Sequence, residues 1–260
     1  MRYFRLYRAF IINCLSRAME FRAQFFAGIF GYMVWSGVSL LFIEAVFRQN
    51  AVMGWTRDEM WVLYGTCLIL ESLCWGFLGP NMWRFSLMVR DGSLDLALCR
   101  PVNTQFFVSA RYIDLNAILN VLPGLGLLIY GLNKLAQWPS AMQWLHWAAL
   151  LFCGFVMAYC LWFLVVTLAI WTVKMESVAV IFEPLMQMAR FPIDVYPRSW
   201  QWALTFILPI AFLTTFPTNA LLGRAATWLL PVAFGLATLL LFITSWFFNF
   251  ALRFYSSASN

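Results

Sequence analysis

The stretch that decides the fold is LAQWPSAMQWLHWAALLFCGFVMAYCLWFLVVTLAIWTV, residues 135–173. It contains no Asp, Glu, Lys or Arg, and its one imidazole, His146, lies near the start. About 18 or more apolar residues in a row suffice to cross roughly 30 Å of hydrocarbon as a helix. Ala23–Ile43, Leu115–Asn133, Ser199–Gly223 and Ala225–Leu252 are also free of charged residues. Over the whole chain 63% of residues are hydrophobic, 19% aromatic and only 11% charged, and the mean hydropathy is +0.78. No soluble globular domain has that balance. The chain therefore reads as an all-α, polytopic membrane protein.

Other classes fall away on composition. The first apolar run begins only after Arg22, is too long for a signal-peptide core and has no small-x-small cleavage site, so no cleaved leader is expected. The six cysteines (14, 67, 74, 99, 153 and 160) lie mostly in apolar segments and read as small packing residues. One His and no clustered Cys leave no ligand set for zinc, haem or an iron–sulfur cluster. The net charge of +6 is a topology signal, not a nucleic-acid footprint.

Residues 1–21 read as an amphipathic helix for the membrane–water interface. Tyr3, Tyr7, Phe10, Ile11, Cys14, Leu15 and Ala18 share one face; Arg2, Arg5, Arg8, Asn13, Ser16 and Arg17 share the other. Six spans follow, at roughly 22–46, 60–82, 106–132, 144–172, 177–191 and 228–251. The 198–224 stretch holds Pro209, Pro217, Thr214, Thr215, Thr218 and Asn219. It reads as a re-entrant hairpin or a broken helix, tolerable at membrane depth where protein or water covers the freed backbone. With the N-terminus in the cytoplasm, eleven of the 17 Lys and Arg fall inside and six outside, the direction that the positive-inside rule favours. All connections are short, so residues 1–260 form one membrane domain.

The charged loop at 83–105 stands out. Within it VRDGSLDLALCRP, residues 89–101, gathers Arg90, Asp91, Asp95 and Arg100 around Gly92 and Ser93. Ser93 is placed to cap a short helix and Asp95 to sit in its first turn. Leu94, Leu96, Ala97 and Leu98 supply an apolar side, and Pro101 ends the helix. The product is a one- to two-turn cytosolic helix suited to docking. Within the spans Glu71, Asp114 and Glu183 are functional candidates because intramembrane charge is costly. Asp114 is also placed to pair with Arg111 at i+3, and Glu44 with Arg48 at i+4.

This arrangement resembles the permease subunits of ABC-2-type ABC exporters, in particular a small six-span bacterial branch. The resemblance rests on the N-terminal amphipathic helix, on RDGSLDLALCRPVN between the second and third spans, and on RFPIDVYP…ILPIAFLTTFP before the last span, with Pro192, Pro197, Pro209 and Pro217. It covers essentially the whole chain. It implies that Arg90, Asp91, Gly92, Ser93, Leu94, Asp95, Leu98, Arg100 and Pro101 form a coupling helix seated in an ATPase cleft, with Arg17, Glu20 and Arg22 touching the same subunit. The chain has no G-x-x-x-x-G-K-(S/T) loop, so ATP and Mg belong to a separate cytosolic ATPase, expected as a dimer. A second permease copy or a related permease completes the path in the bacterial inner membrane. The implied substrate is amphipathic or lipophilic. Two other classes stay open at this point: an ion-coupled secondary carrier or channel, and a membrane-embedded lipid-modifying enzyme.

Overall fold

Thr56 stands three residues before Glu59, and the two cap each other. The Thr56 hydroxyl accepts the Glu59 amide at 3.4 Å, and the Glu59 carboxylate accepts the Thr56 amide at 2.9 Å. This reciprocal cap satisfies two amides that a helix start leaves free. Helix α1 (Arg57–Leu73) begins there, passes through a π turn at Cys74–Leu78 and continues as α2 (Gly79–Arg90). The structure is a computed structural model that describes residues 6–14, 28, 30–31, 33–34, 36–38, 40–41, 44–45, 54–136, 138–172 and 182–255. After α2 come α3 (Leu94–Leu98), α4 (Thr104–Ala110), α5 (Leu115–Leu119), α6 (Val121–Leu135) and α7 (Ala141–Thr167). Then follow α8 (Phe182–Met188), α9 (Arg198–Phe206), α10 (Ile210–Leu213), α11 (Thr215–Leu221) and α12 (Leu229–Leu252).

Among the described residues four helical rods are long and apolar enough to cross a membrane: 57–90, 115–135, 141–170 and 229–252. The chain is thus all-α and multi-pass. About half of the expected first span, 22–46, lies outside the described residues; of the fifth, 177–191, residues 182–191 are described, and there the helix is the seven-residue α8, which ends at Met188. The 57–90 rod is central, with 83% of its most apolar window buried, against 22% for α12 and 28% for the 115–135 rod. The latter two present most of their surface outward.

Two span limits need correction. The second span continues past residue 82 to Arg90, because Met82, Phe85 and Val89 keep helical spacing and are all buried. Gly92, at φ +71°, then takes the left-handed position that ends a helix cheaply. The third span is not continuous from 106. Helix α4 stops at Ala110, and the chain restarts only at Leu115. Asp114 caps α5, its carboxylate accepting the amides of Asn116 at 2.9 Å and Ala117 at 3.3 Å. The Arg111–Asp114 pair on one helix face, expected from i+3 spacing, is therefore replaced by a cap. Glu44 takes Arg57 at 2.8 Å; Arg48 lies outside the described residues.

The break at 111–114 is answered by the rod beside it. The Asn81 side-chain amide donates to the Tyr112 carbonyl at 2.7 Å and accepts the Tyr112 amide at 2.9 Å. The Asp114 amide donates to the Gly76 carbonyl, in the π turn, at 2.8 Å. Residues 6–14 are helical and pack on the same break. Phe10 meets Phe107 edge-on with centroids 6.1 Å apart, and Cys14 Sγ accepts the Ile113 amide at 3.4 Å. Residues 1–5 and 15–21 of the expected interfacial helix lie outside the described ones.

The 198–224 stretch is a broken helix. Among the described residues its three pieces, α9 to α11, are each too short to span. Pro197 and Pro209 sit just before α9 and α10, and Pro192 just before a 3₁₀ turn at Ile193–Val195. Pro217 is third in α11, where its missing N–H costs nothing. The threonines serve the freed backbone. Thr214 donates to the Ala189 carbonyl at 2.6 Å, and Thr215 accepts the Ile193 amide at 3.1 Å.

Small residues set how closely the rods approach. On α1, a Cβ at Gly65 would lie 2.7 Å from the Leu128 amide nitrogen of α6, whereas one at Gly126 meets nothing within 4 Å. Close backbone approach through glycine is the usual adhesive between helices in lipid. Gly65→Ala is expected to destabilise the protein by about 1–3 kcal/mol. Gly126→Ala is expected to leave stability unchanged or raise it slightly. Thermal unfolding in detergent, followed by tryptophan fluorescence, compares the two. Equal melting temperatures would remove the α1–α6 contact from the account.

Candidate functional site

Two polar places interrupt this apolar chain. The first is the turn around α3. Leu94 and Ala97 are 0% and 1% exposed and join the main core with Phe85, Val89 and Phe107. Leu96 and Leu98 are 70% and 38% exposed and point out of the chain. The apolar side expected of α3 is thus divided in two, one half anchoring it and the other presented. Ser93 makes no side-chain cap, with φ −72° and ψ −3°. It sits in helical conformation, from which its hydroxyl does not reach back to the free amides, so the expected Ser93 cap is corrected. Asp95 does occupy the first turn. Arg90 and Asp91 pair with each other at 3.0 Å on the surface. Arg100 and Pro101 are exposed, with Arg100 lying 4.8 Å over the Phe107 ring. Arg17, Glu20 and Arg22 lie outside the described residues.

From α3, contacts lead into several rods. It packs against α2 and α4. On α4, Gln105 donates to the Tyr159 hydroxyl of α7 at 3.1 Å, and Ser109 shares a hydrogen bond with that hydroxyl at 3.0 Å. Just past α12, Tyr255 faces Asp95. Burial first, and then the Asp95 charge, push the Tyr255 phenol above its ordinary ionisation range.

The second place is inside the bundle. Glu71, on the central rod, takes Arg190 Nη2 at 3.0 and 3.3 Å, with side chains only 10% and 14% exposed. The sequence analysis does not single out Arg190. A lone acid in mid-span demands a cation, and the Arg ending the fifth apolar stretch was the available signal. Two more polar contacts tie the same segment to the start of α1. Arg224 pairs with the buried Glu59, and Trp55 Nε1 donates to Asp194 at 2.9 Å. Glu183 is exposed in the first turn of α8, and Asp114 is used as a cap. Among the described residues Glu71 alone of the three intramembrane candidates meets a partner cation. Among the described residues no group of three or more His, Cys, Asp or Glu could hold a metal ion.

Residues 33–259 match the family described as ABC-2 family transporter protein. The chain belongs to this family. Comparison with curated proteins and with solved structures gave no match. An ABC-2 chain is the transmembrane component of a transporter, and such components generally work with ABC ATPases. The resemblance read from RDGSLDLALCRPVN and the proline-rich stretch thus holds over most of the length.

Removing one member of a buried ion pair leaves the other charge uncompensated, at about 3–5 kcal/mol. Glu71→Leu and Arg190→Met, each alone, are expected to lower the melting temperature sharply. The double variant Glu71→Leu with Arg190→Met is expected to recover most of that loss. A cycle of the two single variants and the double, melted in detergent, reads the coupling directly; purely additive losses would mean that the two side chains do not act as a pair.

Proposed function

We propose that this chain is the permease subunit of an ATP-binding cassette exporter. It moves an amphipathic or lipophilic substrate across the bacterial inner membrane with energy from a separate ATPase dimer. A second copy of the chain, or a related permease, completes the path. The N-terminus and α3 face the cytoplasm, and the 6–14 helix lies along the membrane surface. ATP and Mg are handled on the partner.

One observation carries this reading beyond the family. Helix α3 is anchored from within by Leu94 and Ala97 and presents Leu96 and Leu98 outward. Exposed leucines on a short, pinned helix beside charged edges are what a cleft in a partner protein can grip. The anchoring side supports transmission. A push on Leu96 and Leu98 acts on α2 through the Gly92 turn, on α7 through Gln105, Ser109 and Tyr159, and on the end of α12 through Asp95 and Tyr255. Closure of the ATPase pair would then bias the rods between two arrangements. The Glu71–Arg190 pair is the polar point that such a rearrangement would have to keep or exchange.

Co-purification from native membranes in mild detergent, with mass spectrometry of the captured proteins, tests this. Wild type is expected to bring down a nucleotide-binding ATPase, and Leu96→Ala with Leu98→Ala to lose it. Equal capture by both would move the contact away from α3. No ATPase under crosslinking would overturn the permease reading and direct attention to transport by the chain alone.

A further inference from the structure

Beside α3 the chain forms an open-sided cavity of about 380 Å³ whose charged lining is Arg84, Arg100, Arg111 and Asp91. Arg84 lies 4.1 Å over the Tyr112 ring, and Arg111 lies 5.0 Å from the same ring. Arg111 also stands 5.1 Å from the Phe107 ring, and Arg100 4.8 Å. Three guanidinium groups thus converge on two rings. Among the described residues none of the three has an ion-pair partner. Asp91 is the single acid in the lining, and it already takes Arg90 at 3.0 Å. Three like charges repel one another when brought this close, and their surplus field favours an anion. Stacking on rings holds each guanidinium as a flat, oriented set of donors, the arrangement best suited to the oxygens of a phosphate.

We propose that this cavity binds a phosphate group, carried by an anionic phospholipid headgroup at the membrane surface. Its place in the fold argues for the lipid. Arg84 is on α2, the end of the central rod, and its neighbour Trp83 is 53% exposed, as an indole at the membrane–water boundary would be. Apart from Ser93 the rest of the wall is apolar, with Leu87, Met88, Leu96 and Ala97, which suits the glycerol and upper acyl part of an amphiphile. Basic pockets between helices at the cytoplasmic surface are where such headgroups bind. The wall includes Ser93, Leu96, Ala97 and Arg100 of α3 and its flanks, so the proposal rests on the cytoplasmic placement of α3, while lipid retention and ATPase capture are read separately and either can fail alone.

The test uses the full chain purified in mild detergent, with phosphatidylglycerol as probe, phosphatidylcholine as the zwitterionic control and inorganic phosphate as competitor. Native mass spectrometry reads lipid retention, and tryptophan-monitored melting reads stabilisation. Wild type is expected to bind phosphatidylglycerol at least about tenfold more tightly than phosphatidylcholine. Arg84→Gln with Arg100→Gln is expected to lose about tenfold or more of that affinity. Both guanidinium groups are on exposed residues, so their removal leaves no buried charge, and gel filtration confirms the fold. Arg84→Lys with Arg100→Lys is expected to keep part of the binding. Arg253→Gln, an exposed cation off the cavity wall, is expected to change nothing. Displacement of the lipid by millimolar phosphate in wild type but not in the Gln variant would keep the oxyanion site and make free phosphate a competing occupant; no displacement assigns it to the headgroup. Wild-type binding by the Gln variant, or an equal loss in Arg253→Gln, overturns the proposal. So does a Gln variant that sheds the ATPase yet keeps the lipid, since an acidic segment of a protein partner would then be the occupant.

Discussion

A break in a helix at membrane depth frees backbone amides and carbonyls that hydrocarbon cannot pair, and each costs several kcal/mol if left so. The described residues contain two helix breaks, one at 111–114 at the entry to the 115–135 rod and one at 190–224, and much of the polar chemistry is spent on them. At 111–114 the answer comes from the central rod: Asn81 brackets both backbone groups of Tyr112, and the Gly76 carbonyl takes the Asp114 amide. The π turn at Cys74–Leu78 belongs to the same solution, because widening the helix releases a carbonyl toward the neighbour. At 190–224 the answer comes from Thr214 and Thr215, which pair with the backbone of Ala189 and Ile193. Polar residues that look misplaced in apolar sequence are there to satisfy the backbone of another segment.

The central rod is also where the charges are tied. Glu59, Glu71 and the adjacent Trp55 each hold a residue of the 190–224 stretch: Arg224, Arg190 and Asp194. A buried pair such as Glu71–Arg190 gains little net stability over well-packed apolar side chains. It does penalise every arrangement in which one charge lies opposite lipid. Three such ties along one rod leave the broken segment a single low-cost register against α1. Helix α7 supports it from the other side, where a Cβ at Gly154 would lie 2.6 Å from the Phe212 carbonyl of α10.

The apolar runs were legible because lipid imposes a length and a composition on every span. The 141–170 and 229–252 rods lie within a few residues of the expected limits for that reason. The short helix at Leu94–Leu98 and the broken 198–224 stretch were legible too, since Gly, Pro and Ser mark turns locally. What stayed hidden were pairings across the fold. Nothing in the local spacing says that Asn81 will serve Tyr112, that Arg190 will leave a loop for Glu71, or that Asp114 will cap instead of pairing with Arg111. The orientation of α3 was hidden for the same reason: four apolar residues in five positions cannot say which two face the core.

That division of α3 decides what the helix can transmit. A docking helix held only by its flanking loops would yield to a partner's push without moving the spans. Here Leu94 and Ala97 are set in the same core as Phe85, Phe107 and Phe163, which bring in α2, α4 and α7. Phe248 of α12 meets two of those rings edge-on, with centroids 6.0 Å from Phe85 and 5.2 Å from Phe163. A close-packed interior transmits displacement because it has few voids to absorb it. Force applied to the exposed leucines of α3 therefore reaches the rods through aromatic contacts about a ring apart, not through flexible chain.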